Sequence, residues 1–173
     1  MEIKYSLLSI LFIVIGCSNE RIRILNQAED VIPGNWHIES VRLPRYGQGV
    51  TYQGNTFMSD TILFDIGTFE IEPFSADSLK PGLPAKVKCN LIIDNEDFPF
   101  SINTLVASGE DIFTFIGFNG PEGTFPITTL AEKFIWSSYI FMDNYFIKII
   151  DEDHIELQRA NQRSEHVITL KRQ

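Results

Sequence analysis

The stretch AKVKCNLIIDNEDFPFSINTL, residues 85–105, decides the fold of this chain. Apolar residues occupy every second position from Val87 to Leu91 and again from Phe98 to Ile102, with lysine, asparagine, proline or serine between them. This period of two is the pattern of a half-buried β-strand. The polar Asn95-Glu96 between the two halves is typical of a tight turn, so the stretch predicts a β-hairpin.

The same alternation recurs on both sides of this hairpin, with turn residues at short intervals. Residues 61–66 and 68–73 are expected to form a further hairpin around Gly67, and residues 44–60 are expected to be a long loop. Eight to ten short antiparallel strands result, and a meander of that length removes its edges most simply by closing on itself. We therefore predict an all-β fold, a single up-and-down β-barrel that occupies residues 34–173 as one domain.

Two of the predicted strands, residues 110–118 and 134–142, are apolar on both faces. One face can line the barrel, and the other must be covered, because large exposed apolar patches are uncommon. The cover is another segment of the chain, a protein partner or second subunit, or the membrane. A barrel of about eight strands has room for one small ligand. The residues expected to line such a site are Phe113, Phe115, Phe134, Trp136 and Tyr139.

Residues 1–16 have the pattern of a bacterial export signal. Lys4 ends a short n-region, and residues 5–15 form an apolar run that only two serines interrupt. A membrane-spanning helix needs ~20 apolar residues, so this run fits the apolar region of a cleaved signal helix better than a membrane span. The run ends in Val14-Ile15-Gly16-Cys17, and polar residues follow.

This ending resembles the lipobox of bacterial lipoproteins, which has an aliphatic residue, a small residue and then the lipidated cysteine. The resemblance implies cleavage after Gly16 and a diacylglycerol thioether, with fatty acyl chains such as palmitate, on Cys17. Two or three acyl chains hold a protein firmly on a membrane. Residues 17–33 are then the lipid anchor and tether, with a short helix within 18–30. The expected location is the outer membrane, with the domain on either its periplasmic or its outer side.

Gly34-Asn35-Trp36 stands at the start of the first predicted strand. This triplet resembles the G-x-W opening of the lipocalin superfamily. The order of lipobox, polar tether, G-x-W and C-terminal hairpin resembles small lipocalin-like lipoproteins of Bacteroidetes-type bacteria. The resemblance covers residues 34–172 and implies that Trp36 closes the base of the barrel against a basic residue late in the chain. Arg172 is the expected partner, through a cation–π contact.

Charge and cysteine content exclude several classes of protein. The chain carries 14 Lys and Arg against 23 Asp and Glu, a formal net charge of -9. Nucleic acids select basic surfaces, so a nucleic-acid partner is not expected. Cys89 is the only cysteine besides Cys17. If Cys17 is acylated, Cys89 has no disulfide partner, and its place in an alternating strand predicts a small buried apolar residue.

No catalytic or metal-binding motif is recognisable. The three histidines, His37, His154 and His166, lack metal-ligand spacing, and the acidic turns at 94–97 and 151–153 lack EF-hand spacing. We therefore expect a protein that is not an enzyme and has no cofactor or metal. Its expected function is that of a lipid-anchored envelope protein with a small apolar ligand in the barrel. The alternative is a surface or assembly lipoprotein that binds a partner protein, or a second copy of itself, through an apolar strand face.

Replacement of Cys17 by serine removes the sulfur that carries the lipid, so we expect the Cys17→Ser variant to be released from membranes into the soluble fraction. Fractionation of cells that express the full chain, followed by detection of the protein, checks this prediction. A Cys89→Ser variant is the matched control and should stay with the membranes. Membrane retention of Cys17→Ser equal to that of the unchanged chain contradicts the lipid anchor.

Overall fold

A computed structural model describes residues 20–43, 50–57, 61–75, 86–108, 111–118, 128–138, 140–161 and 167–173. Residues 20–31 form helix α1, as predicted. The other elements are β1 (Gly34–Arg42), β2 (Val50–Tyr52), β3 (Asn55–Phe57), β4 (Ile62–Ile71), β5 (Lys86–Ile93), β6 (Glu96–Ser108), β7 (Asp111–Phe118), α2 (Leu130–Ser138), β8 (Asp143–Ile149), β9 (His154–Arg159) and β10 (Val167–Arg172). Gly16, Cys17 and His166 lie outside the described residues.

Eight strands close into an antiparallel barrel in the order β1-β10-β9-β8-β7-β6-β5-β4. Strands that follow one another in the chain are neighbours, and β10 pairs with β1 to close the barrel. The short hairpin β2–β3, which lies between β1 and β4 in the chain, forms its own two-stranded sheet and is not hydrogen-bonded into the barrel sheet. The prediction of an all-β, up-and-down barrel is confirmed.

Alternation along each strand builds the core. On β5, Val87, Cys89 and Leu91 are buried, while Lys86 and Lys88 on the opposite face are exposed. The buried apolar residues of the barrel strands and of both helices form one continuous cluster. Because side chains two residues apart share a face of the strand, each strand contributes its apolar face to the same interior.

The predicted hairpin around Gly67 is wrong, because β4 is one continuous strand through that residue. A Cβ atom added at Gly67 would lie 2.1 Å from the backbone oxygen of Ile92 on the neighbouring strand. The glycine therefore permits a close backbone approach rather than a turn. A register shift between Ile38 and Ser40 on β1 lies opposite this point, next to Asp65, whose φ is 53°.

The predicted loop 44–60 contains the hairpin β2–β3, whose turn residues Gln53 and Gly54 both have positive φ angles. The predicted strand 134–142 is also wrong, because helix α2 covers its first half. Apolar residues on both faces of a strand pattern also satisfy helical spacing, and Ala131, Phe134 and Ile135 form the buried face of α2.

A capping box starts helix α2. The Thr129 hydroxyl accepts a hydrogen bond from the Glu132 backbone N–H, at 3.1 Å, and the Glu132 carboxylate accepts one from the Thr129 N–H, at 2.9 Å. The backbone N–H groups of Thr129 and Thr128, which both donate to the carboxylate, hold the pKa of Glu132 below its usual value. The T-x-x-E spacing is a helix-start pattern that the sequence contains and that our strand prediction overlooked.

Helix α1 closes the end of the barrel at which β1 begins and β10 ends, here called the α1 end. Ile24, Ala28 and Ile32 follow each other at intervals of four and are all buried in the common core. The Trp36 indole N–H donates a hydrogen bond of 2.8 Å to the backbone oxygen of Ile32, just after the helix. The first strand is thereby tied directly to the end of α1.

Arg172 completes the closure of the α1 end. Its guanidinium carbon lies 4.4 Å from the centroid of the Trp36 ring. Arg172 and Trp36 are the two residues for which the sequence analysis expected a cation–π contact. The same side chain donates hydrogen bonds to the backbone oxygens of Val31, Pro33 and Glu152. A cation beside the C-terminal carbonyls of a helix also opposes the negative end of the helix dipole.

We expect the Arg172→Lys variant to lose about 1–2 kcal/mol of unfolding free energy, because an ammonium group cannot donate in three fixed directions and stack on an indole ring. Urea denaturation followed by tryptophan fluorescence measures the change. The matched control is Lys171→Ala at an exposed neighbouring position, where we expect about 0.5 kcal/mol or less. Equal stability of the two variants contradicts this role of Arg172.

Candidate functional site

The opposite end of the barrel, here called the α2 end, is covered by helix α2 and the hairpin β2–β3. The Tyr52 and Phe134 rings join these two elements, with centroids 4.7 Å apart. The Tyr52 hydroxyl also donates a hydrogen bond of 3.4 Å to the backbone oxygen of Ile66 on β4. Gln53, in the β2–β3 turn, donates a further hydrogen bond of 3.2 Å to the Asp94 carboxylate. A ring contact and single hydrogen bonds thus hold the cover of the α2 end, whereas one guanidinium group makes three hydrogen bonds at the α1 end.

Phe141, in the turn between α2 and β8, projects into the barrel core. Its side chain is fully buried. Its ring stacks on Phe69 with centroids 4.9 Å apart, and it meets the edge of Phe100 at 6.3 Å. The interior between β4 and β6 is thus filled by a ring that comes from the cover and not from the barrel wall.

The backbone of Phe141 has a φ of 61°, in the left-handed region. Bulky residues rarely adopt this conformation, which costs about 1–2 kcal/mol. The surrounding contacts must supply that energy, so the buried ring is held in place at the expense of local backbone strain.

Tyr145 on β8 is the polar group beside Phe141. Its hydroxyl oxygen accepts a hydrogen bond of 3.2 Å from the Phe141 backbone N–H. The phenol is completely buried, and burial raises its pKa well above the usual value, so it stays neutral at physiological pH. Its register partner Arg159 forms a largely buried ion pair with Asp143.

Phe113 and Phe115 do not line the interior, and that expectation is wrong. The buried face of β7 consists of Ile112, Thr114 and Ile116. Phe113 lies on the other face and packs against Phe146, with ring centroids 5.4 Å apart, while Phe115 is 41% exposed. Both faces of β7 are apolar, as predicted, but period two alone does not say which face turns inward.

The other three expected ligand-lining residues fall on or after helix α2. Phe134 is buried beneath the cover, against Tyr52, and is not part of the barrel wall. Trp136 lines a cavity of about 10 Å³ with Phe98, Phe118 and Met142 among its walls. That volume is far below the ~300–1,000 Å³ of a typical ligand site. Tyr139 lies outside the described residues.

Four aromatic residues that the sequence interpretation did not nominate meet in the interior, namely Phe69, Phe100, Phe141 and Tyr145. Alternation on β4, β6 and β8 marks three of them as inward-facing. Alternation does not identify Phe141 as inward-facing, because Phe141 lies in the turn after α2 and its position depends on how that turn enters the barrel.

A groove of about 550 Å³ runs over the outer surface of β4, β5 and β6. Its polar walls carry Glu70 and Glu72 from β4 and Lys86 and Lys88 from β5. The charges of two carboxylates and two ammonium groups cancel, so the groove has no net charge that would select a charged ligand. Solvated side chains on a sheet face account for it.

Within the described ranges, no group of three or more His, Cys, Asp or Glu side chains is placed to hold a metal ion. His37 pairs with Asp65 at 2.8 Å and His154 with Asp151 at 2.9 Å, both at the surface. Among the helices of the described part of the chain, none is long and apolar enough to cross a membrane.

Comparison with known proteins yields no match among protein-family models, curated proteins or solved structures.

Burial raises the pKa of the Cys89 thiol to about 12, so almost no thiolate exists at pH 8. We expect Cys89 in the native protein to resist iodoacetamide at pH 8 and to react when urea unfolds the chain. Intact-mass measurement of the alkylated protein checks this. Alkylation of the native protein at the rate of the unfolded protein contradicts the buried, protonated thiol.

Because this folded pKa exceeds the unfolded value of about 9, the thiol contributes stability that is complete below pH 9 and is lost as the pH rises towards 12.

Proposed function

We propose that this chain is a lipid-anchored, lipocalin-like envelope protein that holds one small apolar ligand in its barrel, in the space that the Phe141 ring fills. The supporting observation is that Phe141 reaches the interior from the cover of the α2 end. A ring that belongs to the cover can leave without any break in the barrel wall. The resemblance of Val14-Ile15-Gly16-Cys17 to a lipobox supports the anchor.

The chemistry of the space indicates what class of ligand it takes. Phe69 and Phe100 flank the Phe141 ring on two sides, and both are fully buried. The polar groups beside the Phe141 ring are neutral: the Tyr145 hydroxyl accepts a hydrogen bond from the Phe141 N–H, and the register partner of Tyr145 is the buried Thr114. An aromatic or branched apolar group with at most one neutral hydrogen-bonding atom fits this environment, whereas a charged group would be desolvated without a partner.

The energies of the exchange are close to balanced. Exposure of a buried Phe side chain costs about 1.5–3 kcal/mol, and release of its left-handed backbone returns about 1–2 kcal/mol. A ligand that buries a similar apolar area supplies the remainder and adds its own binding energy. We therefore expect the barrel filled by Phe141 to be stable without ligand. The free energy needed to displace Phe141 is small enough for an apolar ligand to supply.

A second candidate function is the binding of a partner protein through the outer face of β6, β7 and β8. Val106, Phe113 and Phe146 are register neighbours across these three strands, and Val106 and Phe115 are 45% and 41% exposed. The polar Asn103 and Asn144 flank Phe115 in the same register. An apolar centre beside polar residues is the usual arrangement of a protein interface. A dimer of the 18–173 fragment on gel filtration favours this function.

We expect the Phe141→Gly variant to be about 2–4 kcal/mol less stable, because the lost ring leaves a cavity, while glycine tolerates the positive φ. The cavity is apolar and should bind toluene, which raises the melting temperature of this variant. Thermal denaturation with and without toluene measures both effects. Phe115→Ala, on the outer face, is the control, and toluene should leave its melting temperature unchanged.

Native mass spectrometry of the unchanged protein, purified from the envelope of its own host, tests the proposed function itself. We expect one apolar molecule to accompany each barrel. A barrel that is empty in every preparation, together with a Phe141→Gly variant that ignores toluene, contradicts ligand binding in this space.

A further inference from the structure

The first turn of helix α1 carries an exposed apolar side chain between two basic ones, while the acidic Glu29 and Asp30 lie in its last turn. Ile22, in the first turn of the described helix, is 56% exposed, and Arg21 and Arg23 stand on either side of it. Arg23 forms an exposed ion pair with Glu20 at 2.5 Å. An exposed aliphatic side chain between two arginines is the composition that favours the interface between lipid headgroups and acyl chains.

Helix α1 has no freedom to turn this side elsewhere. Its opposite side, with Ile24 and Ala28, is buried in the barrel core. Its C-terminal carbonyls at Val31 and Pro33 accept hydrogen bonds from Arg172. The position of Ile22 is therefore set by the barrel, and its exposed side chain lies on the side of α1 that faces away from the core.

The short distance in sequence between Cys17 and α1 brings this surface to the membrane. Only Ser18 and Asn19 lie between Cys17 and Glu20, so the interval is three Cα–Cα steps. Even a fully extended chain spans only about 11 Å over that interval. An amphipathic helix that contacts lipid buries its apolar side chains about 5–10 Å deep, so Ile22 lies within reach of the bilayer that holds the acyl chains.

We propose that the α1 end of the barrel rests on the bilayer through Ile22, with Arg21 and Arg23 at the headgroups, so that the α2 end points away from the membrane. The partner is the lipid surface itself, and the inference rests on the lipid anchor of the proposed function. The α2 end, where Phe141 fills the barrel, then faces the aqueous side, from which the proposed ligand approaches.

The charges at the α1 end define how the barrel sits. The turn between β8 and β9 lies at the same end, because Arg172 hydrogen bonds to the Glu152 backbone oxygen. That turn carries Asp151, Glu152 and Asp153, all exposed. Three carboxylates remain in water beside anionic lipid, so contact is made through the α1 side of the end, and the barrel is tilted towards Ile22.

Spin-label accessibility on the lipidated full-length protein tests this orientation. A nitroxide is attached at Ile22→Cys, or at Asn55→Cys in the exposed hairpin of the α2 end, while the buried Cys89 remains unlabelled. The protein is reconstituted in vesicles of phosphatidylethanolamine and phosphatidylglycerol. Collisions with oxygen, which concentrates in lipid, are compared with collisions with a water-soluble nickel chelate.

We expect the oxygen-to-nickel accessibility ratio at position 22 to exceed that at position 55 several-fold, and to fall to the value at 55 when Cys17→Ser prevents lipidation. Equal ratios at the two positions in the lipidated, membrane-bound protein overturn the orientation. Membrane retention of Cys17→Ser instead overturns the lipid anchor and with it the proposed function. The two failures are thus read from different measurements.

Discussion

The barrel depends on one arginine at its seam. Arg172 is the last residue of β10, and β10 pairs with β1 to close the sheet. Its guanidinium group lies over Trp36 and hydrogen bonds to carbonyls of the α1 terminus and of the β8–β9 turn. The end of α1 near the start of the chain and the β8–β9 turn and β10 near its end therefore meet on a single planar cation.

This contact also explains the glycine of the Gly34-Asn35-Trp36 triplet. A Cβ atom at Gly34 would lie 2.8 Å from a terminal nitrogen of Arg172, and the backbone there has a φ of 132°. A side chain at this position would displace the guanidinium group and strain the backbone. Gly34 and Trp36, both on β1, thus contact the same guanidinium group: Gly34 leaves space for it, and the Trp36 ring packs against it.

The two ends of the barrel are closed by different forces. At the α1 end, Arg172 and Trp36 donate several hydrogen bonds to backbone oxygens around the end of α1. At the α2 end, the ring contacts of Tyr52, Phe134 and Phe141 are accompanied by single hydrogen bonds from Tyr52, Gln53 and the Phe141 backbone. Apolar contacts have little directional preference, whereas hydrogen bonds fix the orientation of the groups that they join. The α1 end is therefore the more tightly oriented of the two.

The sequence by itself determined most of the strands, because inward and outward side chains alternate wherever one face of a sheet is buried. Val87, Cys89 and Leu91 follow that rule, and the number of such strands, whose outer edges need a partner, predicted a closed meander. Only the tertiary structure decided which face of β7 turns inward, that Gly67 meets a neighbouring backbone, and that Phe141 fills the interior. A period of two identifies the inward face only where one face is polar, and both faces of β7 are apolar. Phe141 lies in a turn, and its position depends on packing between elements that are distant in the chain.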